Sequence, residues 1–212
     1  MSIAYDPSIF SRVTTLAQAK AIILTPEETL STEQRWELET PHVCDLIEQH
    51  CPKLTQQSVV VDYGCGIGRI ARELIKRCGC WVVGVDIAAN MRALAASYVG
   101  TNRFMSCDPL MIERLSIKAD LILAIWVLQH VNDIEWDLGN FNRMQARTLF
   151  VLNEGRNRFI PTEAGWVDDG IDVRAKLRRR YKLSAIGTLD PMIVGEMQSE
   201  RTFWSVHEMG GR

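Results

Sequence analysis

The seven residues Asp62-Tyr63-Gly64-Cys65-Gly66-Ile67-Gly68, set directly behind the apolar run Ser58 to Val61, constrain this chain more than any other segment. A continuous β-branched run predicts a strand buried on both faces, and glycines at alternate positions remove the Cβ atoms where the backbone must turn tightly. Beyond the turn, Ile67, Ile70, Ala71, Leu74, Ile75 and Cys78 recur at helical spacing, so the segment reads as strand, turn and helix. Such a unit aims free amides and the positive end of a helix into the adjoining crevice. That suits an anionic group, either the carboxylate of a bound amino acid or a pyrophosphate.

The same alternation continues along the chain. Trp81 to Val85, Phe104 to Cys107, Leu121 to Trp126 and Thr148 to Leu152 read as further strands. A helix with Met91, Leu94, Ala95 and Tyr98 inward follows the second strand, and one bearing Ile134, Leu138 and Phe141 follows the fourth. Strands alternating with helices predict an α/β fold with a parallel sheet. Ahead of the first strand, Ser31 with Gln34 and Thr40 with Pro41 mark two helix starts, the second helix carrying Val43, Cys44, Ile47 and Cys51 on one face. Behind the fifth, a basic helix spans Val173 to Tyr181. Two weaker strands near Leu183 to Ile186 and Thr202 to Val206 could complete a seven-stranded sheet with an antiparallel edge.

A length of 212 residues with 47% hydrophobic content supplies one well-buried core. The 24 Lys and Arg nearly balance the 26 Asp and Glu, so the net charge of −2 gives no global attraction to nucleic acid or anionic membranes. The six cysteines follow neither zinc-site nor disulfide-scaffold spacing, and His42, His50 and His207 lack partners at ligand spacing, so no metal is expected. The N-terminal residues lack the pattern of a signal peptide, and no stretch approaches the roughly 20 apolar residues of a membrane span. A cytoplasmic location with reduced thiols is the expectation.

Spacing and charge discriminate between the two anionic ligands. A dinucleotide fingerprint needs a third glycine where this chain has Arg69, and Asp62 would repel a pyrophosphate while receiving, directly or through water, the ammonium of a methionine moiety. Asp86 ends the second strand, where its carboxylate can accept hydrogen bonds from both hydroxyls of a ribose. Asp108, after the third strand, can accept one from an adenine amine, and Ile87, Met91 and Pro109 offer apolar walls. Together these residues describe an adenosine pocket.

At these residues, and over about Val59 to Glu154, the chain resembles the class I S-adenosylmethionine-dependent methyltransferases, especially their small-molecule and ubiquinone-biosynthesis-type members. The resemblance implies a Rossmann-like fold, its seven-stranded, mostly parallel sheet ordered 3-2-1-4-5-7-6 with helices on both faces. It assigns Asp62, Gly64, Cys65 and Gly66 to the methionine portion, Asp86 to the ribose and Asp108 to the adenine. It also brings Cys107, and Ile125 with Trp126 at the end of the fourth strand, into the cofactor site. Trp126-Val127-Leu128-Gln129-His130-Val131 is similar to the family's segment beside the transferable methyl, and Phe150 to Glu154 to its fifth strand and closing acid. One domain over 1–212 is implied, with a helical cap or lid at 1–55, a cofactor-binding core at 56–154 and the substrate-side loop, basic helix and final strands at 155–212.

His130 has a pKa suited to general base work and is the catalytic candidate; the alternative is that it packs or caps the helix. Trp126 lines either pocket or core. Arg174, Lys176, Arg178, Arg179, Arg180 and Lys182 read as a solvated helix face, with a patch for an anionic acceptor as the alternative. The expected function is methyl transfer from S-adenosylmethionine, leaving S-adenosylhomocysteine, to an O, N or C atom of a small molecule. An RNA or protein methyltransferase and a noncatalytic cofactor-binding protein are the alternatives. The segments through Trp36 and from Gly155 to Gly170 are expected to flank the mouth of the site as lids.

Overall fold

The computed structural model describes residues 4–27, 30–155 and 158–210; residues 1–3, 28, 29, 156 and 157 of the expected lid segments lie outside these limits. Its central strand is β4 (Leu121–Ile125), buried along its whole length. On one side β4 pairs in parallel with β1 (Val59–Tyr63), followed outward by β2 (Trp81–Val85) and β3 (Phe104–Cys107). On the other it pairs in parallel with β5 (Thr148–Glu154). Outside β5 lie two antiparallel strands, β8 (Lys182–Gly187) at the edge and β9 (Thr202–Glu208) between them. The order is therefore β3-β2-β1-β4-β5-β9-β8.

A hairpin of β6 (Phe159–Thr162) and β7 (Gly165–Asp168) stands outside this sheet. With the hairpin set aside, the sheet has the expected order 3-2-1-4-5-7-6.

Alternate residues of the strands feed two cores. Val60, Leu121, Leu123, Phe150 and Leu152 pack with residues of α3 (Thr32–His50) and α4 (Arg69–Cys78). Val61, Tyr63, Ile122, Ala124 and Val151 pack on the opposite face with α6 (Ile134–Arg143) and α7 (Val173–Arg180). Covering both faces explains why the parallel strands read as unbroken apolar runs. A third cluster joins α2 (Leu16–Ile23) and Trp36 to Met91 and Leu94 of α5 (Ala89–Val99). Two short helices, α8 (Pro191–Val194) and α9 (Glu196–Arg201), join β8 to β9, and α1 (Ser8–Ser11) lies near the N-terminus.

The expected helix start at Ser31 is present as a full capping box with Gln34. The expected start at Thr40 is not. α3 runs through Pro41 without ending, and the Thr40 hydroxyl donates to the Trp36 carbonyl at 2.5 Å instead of capping. Proline inside a helix costs about 3 kcal/mol, but Arg35, Trp36 and Glu39 before it and Val43, Cys44 and Ile47 after it are all buried. Packing on both sides holds the helix together. An unanticipated second capping box, Thr15 with Gln18, starts α2.

Order reverses between β1 and β4, whose neighbours diverge to opposite sides and open a crevice at their carboxyl ends. The glycine turn opens there. Gly64 has a φ of 74°, and a Cβ on it would collide with Val127. The β6-β7 hairpin is tied to the N-terminal segment through a bridge between Tyr5 and Thr162 and a 2.9 Å bond from the Asp6 amide to the Pro161 carbonyl.

Candidate functional site

A cavity of about 690 Å³, within the usual size of a small-molecule site, lies at this crevice. Gly64 and Gly66 contribute to its floor. The amides of Gly64 and Cys65 both donate to the Val85 carbonyl, at 2.6 and 3.0 Å, which fixes the turn against β2. The Gly66 amide donates to Asp86 Oδ2 at 2.8 Å and the Ala88 amide to Oδ1 at 2.9 Å. Each carboxylate oxygen keeps lone-pair capacity beyond these bonds. Burial raises the Asp86 pKa, while the Ala88 and Gly66 amides pull it down.

Of the residues singled out from the sequence, Gly64, Gly66, Asp86, Ile87, Met91, Pro109, Ile125, Trp126 and His130 line this cavity. Asp62, Cys65, Cys107 and Asp108 do not. Asp62 is buried at 3% exposure; burial raises its pKa to about 7, Arg69 opposing and Asp86 reinforcing the shift. The Ala71 amide of α4 donates to its carboxylate. The Cys65 sulfur faces Gly84, where a Cβ would approach it to 2.8 Å. The Cys107 carbonyl accepts the Asp86 amide at 3.2 Å, so that residue anchors the site through its backbone. Asp108 caps the short 3-10 turn Pro109–Met111, taking the Leu110 amide at 3.0 Å, and pairs with Arg92 at 3.3 Å.

Trp126 lies just beyond β4 rather than within it, with a φ of 57°. Its indole donates to Glu39 Oε1 at 2.8 Å, and the same fully buried carboxylate pairs with Arg35 at 2.8 Å and Arg69 at 3.0 Å. Trp126 is thus a cavity residue held from the core.

His130 sits in the turn after β4. Its Nδ1 lies 2.7 Å from the Phe159 carbonyl, which can only accept, so Nδ1 carries the hydrogen and the neutral ring keeps its lone pair on Nε2. Gln129 Nε2 lies 3.2 Å from that nitrogen, its orientation fixed because Gln129 Oε1 accepts the Glu154 amide at 2.9 Å. Burial lowers the His130 pKa below 6.5 despite the opposing effect of the Phe159 carbonyl. Arg158, 1% exposed, donates to the Val131 and Asn132 carbonyls and pairs with Asp169, fastening the hairpin to the His130 segment.

Deeper in the cavity Tyr63 donates to Asp137, whose pKa burial raises to about 6 against that hydrogen bond. Tyr5, its pKa raised to about 12 by burial and then by the charges of Asp137 and Asp86, closes the cavity from the N-terminal side. Among the described residues no cluster of His, Cys, Asp and Glu can hold a metal ion, and no helix is long and apolar enough to cross a membrane. On the basic helix, Lys176 and Arg180 both pair with Glu135, at 2.7 and 2.9 Å.

Residues 60–146 match the family model described as a methyltransferase domain. No curated protein matches the sequence. Among solved structures, the chain is similar to geranyl diphosphate C-methyltransferase from Streptomyces coelicolor A3(2), crystallised with Mg2+, geranyl diphosphate and S-adenosyl-L-homocysteine. The identity is 15% and the TM-score 0.65, over 98% of this chain and 91% of that one. An S-adenosylmethionine-dependent methyltransferase from Mesorhizobium loti matches 81% of this chain with 100% of its own, at 14% identity and a TM-score of 0.59. The phosphoethanolamine N-methyltransferase 2 of Haemonchus contortus matches 91% of this chain with 56% of its own, at 12% identity and a TM-score of 0.61.

Proposed function

We propose that this chain, whose residues 60–146 match a methyltransferase domain, is a class I S-adenosylmethionine-dependent methyltransferase and that it methylates a small molecule bound beside His130. The observation that carries the proposal is the roofed cavity, where the N-terminal segment and the β6-β7 hairpin, bonded to each other, cover the end of the sheet. A polymer would have to thread its target group past this cover. The paired charges of Lys176 and Arg180 with Glu135 likewise favour a solvated basic helix over an RNA-binding one.

The residues present fit the cofactor. Gly64 and Gly66 present bare backbone to the cavity for the methionine portion, Asp86 offers its remaining lone pairs to the ribose, and Ile87, Met91 and Pro109 flank the base. Cys107 anchors Asp86 through its backbone carbonyl, and Asp108 caps the turn that begins at Pro109. When bound, S-adenosylmethionine supplies a methyl group carried on a positively charged sulfur. The chain's part is to align an acceptor lone pair, exclude water and, for an acceptor that carries a proton, remove it. In this reading His130 takes that proton on Nε2 after the Gln129 amide gives way. The six free cysteines fit a reducing, cytoplasmic compartment.

Replacing His130 by Ala is expected to lower the rate of transfer by about 100-fold while leaving S-adenosylhomocysteine affinity unchanged. The lowered pKa keeps His130 neutral down to a pH below 6.5, so the wild-type rate should fall on acidification only below that point, as the ring becomes protonated. Radiolabelled methyl transfer into small-molecule fractions of a lysate, followed by pH-rate profiles of both proteins, measures these effects. Label that enters RNA or protein, or a variant with full rate per folded molecule, contradicts the reading.

A further inference from the structure

The cavity differs in chemistry between its two ends. The end assigned above to the cofactor has glycine backbone and apolar walls. The other is marked by a chain of contacts running from the Glu154 backbone amide through the Gln129 side chain to His130, whose ring lies 4.7 Å from that of Trp166 and 6.0 Å from that of Phe10, and Glu154 itself lines the cavity there. Trp166 and Phe159 of the hairpin expose 46% and 37% of their surface beside it. Unspent ring faces at the mouth of a cavity suit an apolar or cationic body.

The charges of the lining are one-sided. Glu27, Asp86, Asp133, Asp137 and Glu154 face the cavity, and among the described residues Arg35 is the one Lys or Arg in the lining. Arg35 is already committed, pairing with Glu39 at 2.8 Å and donating to the Thr25 carbonyl at 2.7 Å. Burial raises the Glu154 pKa; Arg201, exposed and outside the lining, draws it down, and Glu27 raises it again. An anionic acceptor would therefore meet carboxylates and no free cation. A neutral one would leave Glu154 without a counter-charge, whereas an ammonium group would supply it and could also lie against the rings.

We propose that the acceptor is an amine carried on an apolar body, bound as its ammonium ion with the nitrogen drawn toward Glu154 and the body covered by Phe10 and Trp166; it gives one proton to His130 Nε2, and the freed lone pair takes the methyl group, leaving S-adenosylhomocysteine. This rests on the methyltransferase reading above and narrows it to nitrogen acceptors.

The test is a titration of the full chain, saturated with S-adenosylhomocysteine, followed by tryptophan fluorescence. The probes are 2-phenylethylamine, 2-phenylethanol and phenylacetate, which share a body and differ in charge. The amine should bind at least about tenfold more tightly than the alcohol, with phenylacetate weakest, and Glu154→Gln should remove most of that preference. Equal or tighter binding of the alcohol or the carboxylate overturns the proposal, as does binding of none of the probes. The wild-type comparison stands even if the variant does not fold. Failure of S-adenosylhomocysteine itself to bind overturns the cofactor assignment instead, so the two failures are distinguishable.

Discussion

Glu39→Ala is expected to lower folding stability by about 3 to 5 kcal/mol, the cost of removing one member of a buried ionic cluster. The Glu39 side chain is fully buried, and the side chains of its partners Arg35 and Arg69 are each 3% exposed. Alanine would leave two guanidinium groups near one another without a counter-charge and the Trp126 indole without its acceptor. Glu39→Gln keeps an acceptor for the indole while losing the charge, so it should fall between wild type and alanine. Urea unfolding with an unchanged m-value checks both. Because the same carboxylate holds Trp126 in the cavity wall, the alanine variant should also bind cofactor more weakly under conditions where it is folded. Wild-type stability in Glu39→Ala would mean that the cluster contributes no net stabilisation.

Arg158→Ala is expected to be comparably severe, about 3 to 5 kcal/mol, for the same physical reason. Its guanidinium satisfies the Val131 and Asn132 carbonyls and pairs with Asp169, whose side chain is 9% exposed. Burial works to raise the Asp169 pKa, yet the hydrogen bonds from Arg158 and from the Ile171 amide hold it below the usual carboxylate range. The stabilisation from that depressed pKa is present at neutral pH and is lost as pH falls through the folded value. The functional consequence follows from position. Without Arg158 the hairpin loses its tie to the turn bearing His130, and with it the Phe159 carbonyl that orients the imidazole. Transfer per folded molecule should therefore fall toward the level of His130→Ala. Chemical unfolding together with the labelled-methyl assay separates the two effects, and a variant with full rate would show that the hairpin does not need this anchor.

The parallel part of the sheet was legible because its signal is local: buried strands are short apolar runs, and glycine spacing declares the turn. β2 and β3 fall on the residues expected, whereas β1 runs on to Tyr63 and β5 to Glu154. That Gly64, Gly66, Asp86, Ile87, Met91 and Pro109 come together in the lining of one cavity was legible from their places at strand ends and in the turns behind them.

What the sequence concealed depends on distance along the chain. Arg35 and Glu39 stand four apart on one helix, a spacing that hints at a pair, but nothing local brings in Arg69 or the indole of Trp126. Arg158 gave no periodic signal, and its partners come from two other loops. Pro41 after Thr40 is a sound local cue for a helix start, overridden by burial on either side of it. The Thr15 and Gln18 capping box starts a helix of only eight residues, too short to carry a periodic apolar stripe. Asp62 illustrates a different limit, since spacing places an acid at the strand end but not the direction of its side chain.

Calorimetric titration of S-adenosylhomocysteine into the wild type and Asp86→Ala tests the proposed binding of S-adenosylmethionine in the crevice between β1 and β4, with Asp86 on its ribose. The wild type should bind it and should not bind NAD. The variant should bind more weakly by about 1 to 3 kcal/mol, the loss of a charge-assisted acceptor shared by two hydroxyls. Binding of NAD in place of S-adenosylhomocysteine, or undiminished affinity in a folded Asp86→Ala, would contradict it.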